Sequence, residues 1–185
     1  MARTWLIISA VGRDRPGIVA DLAQLVYDCD ASLDDSRMTL LGNEFAVILL
    51  CSGSAPDLQS RLQEGARRLE WESRLTVFIR ALEGEPRPPV PAPGMRLCEV
   101  RAEGVDRAGI VARLSRELAD LGVNIADLQS RGLPSPSGVP QYRMLLRIEV
   151  PDTVPDPDLS KALSRAGAEI GIDVSLRALE GDSAA

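Results

Sequence analysis

The chain has 185 residues, enough for one ordinary domain or two small ones, and its 45% hydrophobic and 26% charged content is that of a folded soluble protein. Only 3% of residues are aromatic, so its cores must be aliphatic, and a net charge of −6 with a pI near 4.8 argues against a protein that grips a phosphate backbone by itself. There is no histidine, which removes the commonest general base near neutral pH, the Ser/His and Cys/His nucleophile arrangements and most zinc sites.

In chain order, "TWLIISAV" reads as a strand that is apolar on both sides. The charges of "GRDR" follow it at once, unlike an export signal, and no stretch approaches the roughly 20 apolar residues of a membrane span. A corner, "DRPG" at Asp14–Gly17, then opens a helix whose Ile18, Leu22, Leu25 and Val26 share one face. "DSRMTLL" and "EFAVILLC" follow as two strands joined at Gly42-Asn43, a tight hairpin signal. A second helix runs from about Pro56 to Leu69 with Leu58, Leu62 and Leu69 inward, and "RLTVFIRAL" is the fourth strand.

The segment Glu83–Gly94, "EGEPRPPVPAPG", carries five prolines and reads as a semi-rigid spacer. The same order of elements then repeats: strand at Arg96–Ala102, helix at Gly109–Leu121, strands at Ile125–Arg131 and Gln141–Val150, helix near Pro157–Ala168, strand at Val174–Leu179. "DRPGIVADL" at 14–22 returns as "DRAGIVARL" at 106–114, and "RALEG" closes both halves, at Arg80–Gly84 and Arg177–Gly181. The middle loop of the second half, "GLPSPSGVP", is about five residues longer. The expected architecture is α+β: two ferredoxin-like βαββαβ domains, each an antiparallel sheet with two helices on one face. The expected boundaries are 1–83 and 95–185, with 84–94 as linker.

The repeated corner is where chemistry is expected. A helix N-terminus beside a glycine exposes unpaired N–H groups that suit a carboxylate. A bland alternative stands beside it, in which Asp14 and Asp106 cap the helices, Pro16 occupies the first turn and Arg15 and Arg107 point into water. Asn124 either meets a ligand or completes a turn through its own backbone. Cys29, Cys51 and Cys98 are odd in number and widely spaced, without a metal-ligand pattern, which fits reduced thiols in a cytoplasm. No cofactor, metal or catalytic residue is expected, so the chain reads as no enzyme.

The element order, the D-R-P-G-I-V corner and "GVNI" at Gly122–Ile125 resemble ACT domains, small regulatory modules that bind amino acids. Two such domains without an attached catalytic domain resemble the glycine cleavage system transcriptional repressor family. The resemblance implies domains paired side by side into an eight-stranded sheet, with a small amino acid such as glycine at the first loop. Its site residues carry over to Asp14, Arg15, Gly17 and Ile18 in the first copy and to Asp106, Arg107, Gly109, Ile110 and Asn124 in the second. Ser32 stands where the second copy has Asn124, and Ala108 where the first has Pro16, so the two sites are not expected to be equivalent. The implied function is transcriptional co-regulation through protein contact, with no direct nucleic acid binding. A free-standing regulatory subunit of an amino-acid enzyme and a ligand-free adaptor remain open beside it.

The strands also differ in their outer faces. "QYRMLLRIEV" alternates cleanly, with Arg143, Leu145, Arg147 and Glu149 outward, whereas "EFAVILLC" puts Ala46, Ile48 and Leu50 opposite its core side. A sheet with helices on one face and apolar residues on the other is expected to be covered, here by a second copy of the chain in a homodimer.

Overall fold

A computed structural model describes residues 3–87, 91–134 and 138–179. The chain falls into two compact units, Met1–Pro88 and Pro89–Ala185. The centre of the expected linker, residues 88–90, the end of the second "RALEG" and the middle of the long loop, residues 135–137, lie outside the described residues.

The first unit comprises β1 (Thr4–Arg13), α1 (Ile18–Asp28), β2 (Ser32–Leu41), β3 (Glu44–Gly53), α2 (Leu58–Ser73) and β4 (Thr76–Ala81). Its strands lie in the order β2-β3-β1-β4, all neighbours antiparallel. The second repeats this with β5 (Met95–Val105), α3 (Ile110–Asp120), β6 (Asn124–Leu133), β7 (Gln141–Pro151), α4 (Asp156–Ile170) and β8 (Ile172–Ala178), in the order β6-β7-β5-β8. Both are the α+β, ferredoxin-like arrangement that the repeated element order implies.

Helical periodicity and strand alternation decide each core. In α1 the buried residues are Ile18, Leu22, Leu25 and Val26, one stripe at a spacing of three and four. In α2 they are Leu58, Leu62, Ala66 and Leu69. These pack on Leu6, Ile8 and Ala10 of β1 and on Phe45, Val47, Leu49 and Cys51 of β3, which alternate toward the helices. The second core has the same plan, with Ile110, Leu114 and Leu118 of α3 and Leu159 and Leu163 of α4 over Cys98, Val100 and Ala102 of β5 and Met144, Leu146, Ile148 and Val150 of β7. Burying one such side chain is worth roughly 1.5–3 kcal/mol.

The helices extend beyond the apolar residues that announce them, α2 by four positions to Ser73 and α4 by two to Ile170. Glu70 to Ser73 continue α2, and Glu169 and Ile170 continue α4, until a left-handed residue stops each, Arg74 (φ 52°) after α2 and Gly171 (φ 68°) after α4. Where linker meets second domain, the Met95 N–H donates to the Ala92 carbonyl and the Asp152 N–H to the Gly94 carbonyl.

Candidate functional site at the first helix entry

Both corners have the same backbone. Gly17 precedes α1 with φ 95° and Gly109 precedes α3 with φ 94°, a left-handed conformation that costs any residue with a Cβ. The first intrahelical bonds run from the Asp21 N–H to the Gly17 carbonyl and from the Arg113 N–H to the Gly109 carbonyl, each 2.9 Å. The amides of Ile18, Val19 and Ala20, and of Ile110, Val111 and Ala112, precede those bonds and are capped by no side chain. The capping role open to Asp14 and Asp106 is therefore not the one they take, and Pro16 lies before the first turn instead of in it. A glycine turned left-handed carries the chain into the helix without an acceptor side chain, leaving the amide end open.

Each corner is pinned to the neighbouring hairpin. The Asp14 N–H donates to the Asn43 carbonyl and the Asp106 N–H to the Pro140 carbonyl, both at 2.9 Å. That contact brings the start of α1 against β2 and β3.

In the first domain the result is a cavity of about 280 Å³ lined by Asp14, Arg15, Gly17, Ile18, Val19, Ala20, Met38 and Phe45. Phe45 and Ile18 are buried and form an apolar floor, while Met38 and Val19 are half exposed and form flexible or open walls. Asp14 and Arg15 are the charged lining residues. Arg15 is not free in water: its guanidinium donates to Asp21 (2.7 Å), to the Ser73 hydroxyl (2.6 Å) and to the Pro16 carbonyl (3.1 Å). Asp21 lies in the first turn of α1, where its negative charge would compete with an incoming anion, and Arg15 neutralises it. All four site residues expected in this domain are thus brought together, with Met38, Phe45, Val19 and Ala20 added to them. Phe45 had a signal only as a core residue; its place under the corner follows from the register Gly12 opposite Phe45, set by the hairpin.

The second domain brings fewer of its expected residues together. Arg107 lies over the C-terminal end of α4, its Nη1 3.5 Å from where a Cβ on Gly171 would be, and Asp106 lies beside Gly132. A concavity of about 250 Å³ opens at Glu103, Gly104, Leu133, Pro134, Gln141, Tyr142 and Arg143, a lining that includes no expected site residue. Register equates Tyr142 with Phe45 and Ser130 with Met38, so a polar side chain replaces the methionine wall.

Asn124 is remote from the corner of its own domain. It pairs with Glu149, whereas Val105, just before the corner, pairs with Gln141, and eight residues of strand separate the two by roughly 27 Å. Its amide Nδ2 donates to the Glu149 carboxylate at 2.9 Å, so the turn-completing role through its own backbone is replaced by a cross-strand side-chain bond.

The remaining chemistry is quiet. Cys29, Cys51 and Cys98 are free and buried; burial, followed by the nearby Asp34, pushes the Cys51 thiol up to about 11, and burial raises the other two. Such thiols are poor nucleophiles. Among the described residues no group of His, Cys, Asp and Glu is placed to hold a metal ion, and no helix is long and apolar enough to cross a membrane.

Comparison with known proteins adds to this geometry. The ACT domain family model matches residues 4–80, the whole of the first sheet and its helices. The chain is similar to the "Glycine cleavage system transcriptional repressor" of Escherichia coli strain K12, 34% identical over 132 residues, 71% of this chain and 66% of that protein. The chain therefore spans just under two thirds of the length of this curated relative. A crystal structure of an unknown protein from Galdieria sulphuraria matches with a TM-score of 0.82 at 31% identity, over 97% of this chain and all of that one. A crystal structure of a proposed glycine cleavage system transcriptional repressor matches in fold, with a TM-score of 0.75 at 22% identity over 98% of this chain and all of that one.

Proposed function

The chain belongs to the ACT-domain family, and from that premise we propose that it is a non-enzymatic regulator that senses a small amino acid at the first helix entry and answers through contact with another protein. One observation carries the reading: an open, uncapped helix end, an aspartate and an apolar floor line one small cavity.

The three groups match the three parts of an amino acid. Its carboxylate meets the amides of Ile18, Val19 and Ala20, where the partial positive charge of the helix end favours an anion. Its ammonium meets Asp14. Its side chain, where it has one, lies toward Phe45 and Met38, and a cavity of about 280 Å³ has room for glycine, serine or a larger amino acid. Arg15, occupied with Asp21 and Ser73, positions the helix end instead of clamping the ligand. The second corner has the same glycine and free amides but a different wall, so the first is the working site in this reading.

The similarity to a transcriptional repressor points to gene regulation as the output. The acidic chain favours exerting it through a DNA-binding protein over touching DNA itself. A ligand changes such a contact only by binding two arrangements with different affinity.

Calorimetric titration of the full chain with glycine, serine and the remaining amino acids tests the reading. Saturable binding of a small amino acid is expected, weakened about tenfold or more by Asp14→Asn, which removes one charge-assisted bond from an exposed position, and unchanged by Asp106→Asn. Heats absent for every amino acid, from protein whose circular dichroism is that of the folded chain, would refute it.

A further inference from the structure

The faces of the two sheets that carry no helices differ. On the second, facing residues form cross-strand rows of charge: Asp127, Arg147, Glu99 and Arg177 in one, Arg131, Arg143, Glu103 and Asp173 in another. Two ion pairs lie on this face, Arg101 with Glu99 and Arg143 with Glu103, each at 2.7 Å, while among the described residues no ion pair engages Asp127, Arg131, Arg147, Asp173 or Arg177. Charge thus extends onto the central strands β5 and β7, which suits a face turned to water.

The middle of the first sheet's open face, between Trp5 beside Ser52 at one end and Arg13 beside Glu44 at the other, has three rows, read from β2 through β3 and β1 to β4. They are Asp35, Leu50, Ile7, Arg80; then Arg37, Ile48, Ser9, Phe78; then Thr39, Ala46, Val11, Thr76. The central strands are mostly apolar, and Ile48 and Phe78 are 54% and 62% exposed. Within these three rows the charges stand on the two edges, and among the described residues no ion pair engages Asp35, Arg37 or Arg80. Among the described residues Asp35 accepts only the neighbouring Ser36 N–H. At one end the face is closed by Arg3, which stacks over Trp5 at 5.0 Å and donates to the Ser52 hydroxyl at 2.7 Å.

We propose that this face packs on the same face of a second copy of the chain, about a two-fold axis that runs parallel to the strands between β3 and β1. The charge pattern selects that operation. Rotation about this axis keeps each row at its own height and exchanges β2 with β4 and β3 with β1. Asp35 then meets Arg80 of the partner subunit, and Arg37 meets the ring of Phe78 of the partner subunit, each contact occurring twice. Leu50 meets Ile7 of the partner subunit at the centre. A two-fold axis across the strands would instead set Arg37 against Arg37 of the partner subunit and leave Asp35 opposite a threonine, so like charges oppose it.

Sheet twist leaves the pairing intact. Packed sheets cross at about 30°, and edge strands lie about 7 Å from the axis, so facing edge residues separate by about 4 Å. An arginine side chain spans that offset, and the next residue on the same face is about 7 Å further along the strand.

The test is sedimentation of the full chain from about 1 to about 100 μM, where a dimer held by one small sheet face dissociates. A dimer is expected, and Ile48→Asp should make it monomeric. Arg80→Asp, or its reciprocal Asp35→Arg, sets like charges together twice and should raise the dissociation constant about tenfold or more. The double exchange Asp35→Arg with Arg80→Asp should return it to within about threefold of the starting value. All these side chains are exposed, and circular dichroism verifies that each variant is folded. A chain monomeric throughout, a dimer indifferent to Arg80→Asp and Ile48→Asp, or a double exchange as weak as the single one would each overturn the proposal.

Discussion

Leu25 of α1 and Glu117 of α3 hold the same place in their domains, seven residues into a helix that begins at the same corner, and both are buried. Around Leu25 the helix pair is closed by size: a Cβ on Gly65 of α2 would run into Leu25 Cδ1. Around Glu117 it is closed by charge, with Arg165 of α4 at 2.7 Å and Arg113 at 2.9 Å, and with Glu169 completing the network through Arg113. The open sheet faces show the same division, mostly apolar on the central strands β3 and β1 in the first domain and charged on β7 and β5 in the second. One backbone plan thus carries one domain with a mostly apolar sheet face and one with a charged face, so internal repetition implies common structure but not common duty.

The largest effects should come from the cores, and they separate the domains cleanly because both tryptophans, Trp5 and Trp71, belong to the first. Leu62→Ala should destabilise the first domain by about 2–5 kcal/mol and move the fluorescence transition in urea. Leu163→Ala should do the same to the second, moving the circular dichroism transition while leaving fluorescence in place.

Tight glycines give the next comparison. A Cβ on Gly167 would lie 2.6 Å from the backbone oxygen of Ile172, which has no room to yield, whereas at Gly65 only the tip of Leu25 has to move. Gly167→Ala should therefore cost about 1–3 kcal/mol and Gly65→Ala visibly less, as measured by thermal unfolding.

Acid should distinguish the helix pairs. Burial pushes the Glu117 carboxyl up, but the hydrogen bonds and charges of Arg165 and Arg113 outweigh it and hold the group below its ordinary value of 4.5. A carboxyl lowered on folding contributes stability that is present above its unfolded value and lost as pH falls through its folded one. The second domain should lose stability below about pH 4.5 with a slope that Glu117→Gln removes, while the first domain, with Leu25 in that place, shows no such contribution. The smallest effect concerns the cysteines: at pH 8 all three should react with a thiol reagent only as fast as the domains open, because burial holds them protonated.

The architecture was legible because its signals are local. Apolar stripes at three and four residues named the buried faces of α1 and α2, and Gly42-Asn43 marked the hairpin whose register puts Phe45 opposite Gly12. The unlike outer faces could be read from "EFAVILLC" against "QYRMLLRIEV". What escaped depends on contacts distant in the chain. Nothing in "DRPG" says that Arg15 reaches Ser73, 58 residues away, or that Met38 and Phe45 close the cavity around Gly17. Asn124 is grouped with the corner's residues only through the family resemblance, and the length of a strand carries it to the opposite end of the sheet. The capping role that stood open to Asp14 and Asp106 beside ligand binding is taken by a left-handed glycine.

The claim that the first helix entry is the working site is tested most directly by following backbone amide resonances of the full chain during titration with glycine and with serine. Gly17, Ile18, Val19 and Ala20 should move, saturably and together, while Gly109, Ile110, Val111 and Ala112 stay in place. Movement confined to the second set, or no movement in either, would contradict it.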